Sequence, residues 1–256
     1  MPFLRRNKTG ILIQARMGAE RFPGKILKPL AGSHPVLKWV LERSRNAAEA
    51  QQVIVATTVE PADDAVALFC REQKVDFFRG SEPNVFERFL KCAQQFELSV
   101  IVRVTADCPF LSSETIDTCI KRFRETGCDY LNNSRIKKTY PRGLDVEVFS
   151  MEVLQALSKK KLTRDEREHV TLYIYEHPEE FHIETVEAEA ELCEPDLRLT
   201  LDTMDDYKLM NAVAGQFMEE AFDVDSRRII RFLRENPEIA LLNRHIKQKK
   251  INGKII

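Results

Sequence analysis

Eleven residues behind the first apolar run carry the densest chemistry in the chain: Ala15-Arg16-Met17-Gly18-Ala19-Glu20-Arg21-Phe22-Pro23-Gly24-Lys25. Arg16, Arg21 and Lys25 set three cations around Gly18 and Gly24. That set suits polyphosphate oxygens: arginine offers a planar fork of donors, lysine a point charge, and glycine lets the backbone come close. A solvated loop with ordinary surface charges is the competing reading. The segment looks only superficially like a P-loop. Five residues separate Gly18 from Gly24 where that motif has four, and Ile26 stands where it needs Ser or Thr for magnesium. No Gly-x-Gly-x-x-Gly occurs among the 9 glycines, so ordinary ATPase and dinucleotide readings are weak.

Two acids complement the cations. Asp107 follows the apolar run in Arg103-Val104-Thr105-Ala106-Asp107-Cys108-Pro109, and Asp202 follows Leu199-Thr200-Leu201, with Asp205 and Asp206 behind it. An Asp at a strand end, with Pro fixing the turn, is a good ligand for a hard cation. Either acid alone is equally suited to capping the helix after it; their joint placement favours a metal site. Two carboxylates holding Mg²⁺ opposite a cationic loop suit nucleotidyl transfer. The metal neutralises charge at the reacting phosphorus, and Arg and Lys hold the departing pyrophosphate.

Positioning these residues falls to an alternation of short β-branched runs and helical segments. Strands are expected at Ile11-Leu12-Ile13-Gln14-Ala15, Val53 to Thr58, Val75 to Phe78, Val100 to Val104, Tyr130 to Asn133, Val146 to Phe149 and Leu197 to Leu201. Helices are expected from Val36 to Ala48, Pro61 to Cys70, Val85 to Phe96, after Ser112 or Ser113, and at Met151 to Lys160, Glu166 to Glu176, Met204 to Glu219 and Asp225 to Arg234. This rhythm predicts an α/β fold with a mostly parallel sheet covered by helices on both faces. In such sheets ligands bind outside the carboxyl ends of the strands, where the loops after Ala15, Thr58, Phe78 and Val104 lie. The parse is one α/β domain over residues 9–222, followed at 223–256 by a helical appendage and a basic tail that includes Lys247, Lys249, Lys250 and Lys254.

Composition narrows the class further. With 39 Lys+Arg against 40 Asp+Glu, the net charge is -1 and the pI about 6.6, which argues against a generalist nucleic-acid binder. No apolar run approaches the roughly 20 residues of a membrane span. The basic start is followed only by Ile11-Leu12-Ile13, too short for a signal-peptide core. A soluble cytoplasmic protein without membrane insertion is expected. The 6 cysteines show no metal-type spacing and read mostly as small buried hydrophobes.

The same residues carry a family likeness. Gln14 to Gly18 with Arg21 to Lys25, Phe78-Arg79-Gly80-Ser81, Arg103 to Pro109, Tyr140-Pro141-Arg142-Gly143-Leu144-Asp145-Val146-Glu147-Val148-Phe149, Glu166-Arg167-Glu168-His169-Val170-Thr171 and Leu201-Asp202-Thr203 resemble sugar cytidylyltransferases. The likeness is strongest to the SpsF-type spore-coat polysaccharide biosynthesis family, related to acylneuraminate and ulosonate cytidylyltransferases. The tail from Asn243 to Lys249 resembles that family's usual ending.

The resemblance implies a Rossmann-like nucleotide-diphosphosugar transferase fold. It also implies a cytoplasmic homodimer that uses Mg²⁺ to transfer CMP from CTP to a sugar or sugar acid, releasing pyrophosphate, in surface polysaccharide or glycoconjugate synthesis. By position, Ala15, Arg16, Gly18, Arg21, Lys25, Arg79, Ser81 and Thr105 would meet the nucleotide, with Arg16, Lys25 and Asp107 catalytic. Asp107 and Asp202 would hold Mg²⁺. Arg142, Gly143, Asp145, Glu147 and His169 would face the acceptor sugar, although His169 is equally suited to an ordinary helix position. Two departures stand out: Ala19-Glu20 replaces the family's usual Ser-Thr, and Ala106 its usual Gly. Glu20 would weaken triphosphate binding if it pointed inward. Two alternatives therefore stay open: a nucleotidyltransferase using another NTP on a sugar 1-phosphate, and a catalytically weakened sugar-nucleotide-binding protein.

Overall fold

The β-branched runs build one seven-stranded sheet. Its strands are β1 (Thr9–Gln14), β2 (Gln52–Thr58), β3 (Asp76–Gly80), β4 (Val100–Thr105), β5 (Tyr130–Asn132), β6 (Glu147–Ser150) and β7 (Ile183–Thr185). The computed structural model describes residues 8–134 and 136–247, with the backbone of 250–251 and 254–255. Across the sheet the order is β3-β2-β1-β4-β6-β5-β7. β3, β2, β1 and β4 are parallel, β6 is antiparallel to both of its neighbours, and β7 is parallel to β5. The expected mostly parallel, mixed α/β sheet is the one observed.

This order fixes where a site can form. Leaving β1, the chain builds β2 and β3 on one side and then crosses back to add β4 on the other. The carboxyl ends of β1 and β4 are thus the switch point of the sheet, the usual place for a ligand crevice. Gln14 and Thr105 are paired there, and Gln14 also lies beside Ala56 of β2.

Successive side chains of a strand point to opposite faces, and β1 shows this directly. Ile11 and Ile13 join the larger apolar cluster, while Leu12 joins the smaller one on the other face. The helices divide accordingly. α1 (Val36–Arg45), α2 (Asp64–Glu72), α3 (Val85–Gln95), α4 (Ser113–Thr126), α5 (Met151–Leu157), α6 (Arg164–Glu168), α7 (Leu172–Glu176), α8 (Met204–Gln216), α9 (Ser226–Glu235) and α10 (Pro237–Ala240) follow in chain order. Trp39, Ile120, Met210 and Ile230, from α1, α4, α8 and α9, cover one face, and Phe89 and Leu154, from α3 and α5, the other. Each large aliphatic or aromatic side chain buried this way contributes about 1.5–3 kcal/mol.

Several expectations are corrected. Leu197 to Leu201 does not form a strand: Arg198 makes a single bridge to Arg142, and Leu201 N donates to Asp107 O at 2.8 Å. The segment is held by loops rather than by a sheet edge. The expected helix from Glu166 to Glu176 is two helices, α6 and α7, because His169 leaves the helical region at φ −113°, ψ 87°. β7 and a two-residue hairpin at Pro29–Leu30 and His34–Pro35 carry too short a pattern to be anticipated. Ile229, Ile230 and Leu233 of α9 lie in the same apolar cluster as β1. Phe217 and Ile229 are buried, and Phe222 packs its ring 5.5 Å from Trp39. The side chains of Lys249, Lys250 and Lys254 lie outside the described residues. Among the described residues no helix is long and apolar enough to cross a membrane.

One buried cation locks the larger layer. Arg43 of α1 is 2% exposed and donates to the carbonyls of Leu111 (2.9 Å), Phe110 (3.2 Å), Val224 (2.6 Å) and Phe222 (3.3 Å). Burial pushes its pKa down to about 10, yet its fork caps four carbonyls that no helix or strand satisfies. Arg43→Ala should lower the unfolding free energy in urea by about 3 kcal/mol. Arg45→Ala, at an exposed position of the same helix, should cost less than about 1 kcal/mol. Equal losses would contradict this role.

Candidate active site

The site starts where β1 ends. Ala15 N still donates to Ala56 O at 3.1 Å, Met17 N to Asp63 Oδ1 at 2.6 Å, and Gly24 N folds back to Met17 O at 3.0 Å. Gly24 sits in the left-handed region at φ 70° and opens a one-turn 3-10 helix, Lys25–Leu27. A residue with Cβ is strained there; the turn needs glycine because it throws Lys25 inward, under the sheet's edge.

Lys25 is 7% exposed, and all three of its ammonium hydrogens have acceptors. Nζ lies 2.6 Å from Asp107 Oδ2, 2.7 Å from Asp202 Oδ1 and 2.6 Å from Leu201 O. Asp202 is held further by Arg21 at 3.1 Å and Arg198 at 2.8 Å. Behind it, Arg198 Nε meets Asp206 Oδ1 at 2.8 Å, and the fully buried Asp206 accepts from the backbone N–H groups of Asp202 and Thr203. Thr203 and Asp206 form the capping box of α8, so neither Asp107 nor Asp202 serves as a helix cap.

Charge in the cluster is balanced: Lys25, Arg21 and Arg198 face Asp107, Asp202 and Asp206. Burial alone would push the Lys25 ammonium down, but the two carboxylates outweigh it and raise its pKa. Burial opposes ionisation of Asp202 as well, and Lys25 and Arg198 overcome it, holding the acid at about 2. Cys108, beside Asp107, is pushed well above an ordinary thiol by burial and by that carboxylate. It is a packed hydrophobe, not a nucleophile.

The other expected residues fall into three groups. Near the carboxyl end of β1, Arg16 is exposed and reaches Glu82 Oε1 at 3.0 Å, beside Gly18. Arg79 pairs with Asp64 at 2.7 Å and donates to Thr58 O at 2.8 Å. Ser81 Oγ accepts from Asn84 N, and its carbonyl accepts from the buried Arg88 at 2.7 Å. Thr105 Oγ1 lies 3.1 Å from Cys108 Sγ. Arg16 and Arg79 therefore do not join Lys25; they rim the ends of β1, β2 and β3. Glu20 is exposed.

On the far side, Glu147 is 2% exposed and accepts from Arg103 at 2.7 Å and Thr171 Oγ1 at 3.1 Å. It anchors Arg103, whose remaining donors hold Gln14 Oε1 at 3.1 and 2.9 Å. Glu147 is thus internal rather than open to a sugar. His169 ends α6, two residues before Thr171. The third group is the turn at Arg142 and Gly143. Gly143 has φ 100°, and a Cβ there would come within 2.3 Å of Leu199 O. Only glycine lets the turn press onto residues 199–200, and Asp145 then accepts from Gly143 N at 2.8 Å.

Sequence reasoning missed Arg198, Asp206, Gln14, Arg103 and Glu82. A signal existed for two of them: an arginine inside the apolar runs Leu197-Arg198-Leu199 and Val102-Arg103-Val104 demands a buried partner.

Asp107 and Asp202 converge on one cationic atom with hard oxygen donors. Mg²⁺ is commonly bound by one or two carboxylates plus substrate phosphates, so the donor set fits that ion. Asp107 and Asp202 would hold it, in place of the Lys25 ammonium.

The fold and this site define an α/β nucleotidyltransferase-type protein, and the comparisons narrow it. The cytidylyltransferase family model matches residues 10–239, and the chain belongs to that family. It is similar to the spore coat polysaccharide biosynthesis protein SpsF of Bacillus subtilis, 37% identical over 238 residues, 90% of this chain and 95% of that one. A cytidylyltransferase structure from Leptospira borgpetersenii superposes with a TM-score of 0.86 at 31% identity, covering 95% of this chain and 99% of the other. A 3-deoxy-manno-octulosonate cytidylyltransferase of Pelobacter propionicus is 34% identical over 113 residues, 43% of this chain and 42% of its own.

Lys25→Met removes the shared counter-charge and should cost about 3 kcal/mol in urea unfolding at pH 7. Asp202 is depressed in the folded state, so its contribution is present above its ordinary value of 3.8 and lost as pH falls toward about 2. The gap between wild type and Lys25→Met should therefore shrink between pH 7 and pH 3. A gap independent of pH would contradict the ion-pair account.

Proposed function

We propose that this protein transfers CMP from CTP to a sugar or sugar acid, with release of pyrophosphate, in surface polysaccharide or glycoconjugate synthesis. The observation that carries this reading is the convergence of Lys25, Asp107 and Asp202 on one point at the β1–β4 switch point of a cytidylyltransferase-family sheet. Family membership and the named activities of the relatives support the nucleotide and the acceptor class.

The chain's own residues divide the work. Among the described residues Arg16 is tied only by an exposed ion pair to Glu82, worth about 0–1 kcal/mol, so it can turn to a triphosphate at little cost. Lys25 has no hydrogen left to offer phosphate while it bridges both acids, so it becomes a phosphate ligand when another cation takes those acids over. Arg21 and Arg198 stay paired with Asp202 and hold it in place. Mg²⁺ on Asp107 and Asp202 would supply charge neutralisation at the reacting phosphate and a lowered hydroxyl pKa on the acceptor. Gln14, clamped by Arg103, and Gly18 shape the crevice beside the nucleotide. A cytoplasmic homodimer belongs to the same reading on family likeness, and its contact would use a surface other than Phe217 and Ile229, which are buried.

Pyrophosphate release measured for four nucleoside triphosphates, each with acidic and phosphorylated sugars and Mg²⁺, tests the proposal. Release should occur with CTP, and Asp107→Asn should lower kcat by about 10³-fold or more while keeping the fold. Release with GTP or UTP and a sugar 1-phosphate would replace the reading by the second nucleotidyltransferase. Tight nucleotide binding without release from any pair would make the protein a binding module.

A further inference from the structure

A cavity of about 360 Å³ is lined in part by Arg198, the partner of Asp202. Its walls include Lys138, Arg142, Asp145, Asp196, Arg244 and Ile246, so three stretches distant in sequence meet there. The C-terminal stretch is anchored, not draped. Asn243 is 1% exposed, and its Nδ2 donates to Arg198 O at 2.9 Å and to Asp206 Oδ1 at 2.8 Å. The residues after it are therefore fixed to the same Arg198–Asp206 pair that orients Asp202.

The lining has a definite chemical bias. Arg198 is already committed to Asp202 and Asp206. Lys138 and Arg244 are both exposed, and among the described residues neither side chain has a hydrogen bond or ion pair. Asp145 and Asp196 supply acceptors suited to hydroxyl groups. The volume lies within the roughly 300–1,000 Å³ range of small-molecule sites. Two unpaired cations, in a lining that also offers carboxylate acceptors, fit a polyhydroxylated ligand that carries an anion, and they disfavour a neutral one.

We propose that Lys138 and Arg244 clamp an anionic group of the acceptor sugar, a carboxylate or a phosphate, so that the C-terminal segment 243–246 is a specificity-determining wall of the acceptor site. This rests on the proposed transfer function for the word acceptor; the anion site itself does not. The wall then reports directly to the transfer centre, because Asn243 grips the backbone of the arginine that holds Asp202.

The test uses the full-length protein, with Arg244→Gln, Lys138→Gln and Arg244→Lys. Calorimetric titration uses three probes: 3-deoxy-manno-octulosonate, its neutral carboxamide and glucose 1-phosphate. At least one of the charged probes should bind, the carboxamide should bind about tenfold more weakly than the acid if the acid is the ligand, and each Gln variant should lose about tenfold for the charged probe only. Arg244→Lys should recover part of that loss, and CTP affinity should be unchanged throughout. The preferred charged probe tells carboxylate from phosphate. Unchanged binding in both Gln variants, an equal loss for the neutral amide, or no binding of any probe overturns the clamp. Pyrophosphate release is read on the same preparations. Arg244-dependent binding without release from CTP sinks the transfer reading alone, whereas release with CTP at an unaltered acceptor KM in both Gln variants sinks the clamp alone.

Discussion

The ammonium of Lys25 is the constraint on which the rest of the site depends. It joins residues 82 and 177 positions away in sequence, Asp107 and Asp202, at hydrogen-bond distance. Two carboxylates brought that close repel unless a cation lies between them, and a buried cation needs acceptors for every hydrogen. The same contact meets both needs. It also ties the loop after β1 to the loop after β4 and to the segment before α8. The parallel order β3-β2-β1-β4 sets β1 and β4 side by side and supplies two of the three partners; the turn at Gly143 presses the third segment home.

Around this contact the charges are layered. Arg198 and Asp206 hold Asp202 from behind, and Asn243 holds Arg198 in turn. A second chain of contacts, from Thr171 through Glu147 and Arg103 to Gln14, stiffens the end of β1 from the other face. Against these fixed parts, Arg16 is tied, among the described residues, only at the surface.

Much of this was legible in the sequence, for a physical reason. Strands buried on both faces read as unbroken apolar runs, so β1, β2 and β4 were plain, and with them the strand ends that carry Lys25 and Asp107. The pairing of Asp107 with Asp202 followed from their shared placement after apolar runs. What was not legible depended on contacts between distant segments. Leu197 to Leu201 has the pattern of a strand, yet its backbone groups find Arg142 and Asp107 instead of a sheet edge. Glu147 was expected at an open sugar site, but the arginine embedded in β4 draws it inside. Lys25 was expected to reach for phosphate; nothing local indicates that two acids claim it first.

The central claim is that Lys25 and the proposed Mg²⁺ are alternative partners of the same two acids. A crystal structure of the protein with CTP and Mg²⁺ tests it most directly. The account predicts a metal ion on Asp107 and Asp202, with the Lys25 ammonium moved off them toward the triphosphate. Nucleotide and metal bound elsewhere, with Lys25 still bridging both carboxylates, would contradict it.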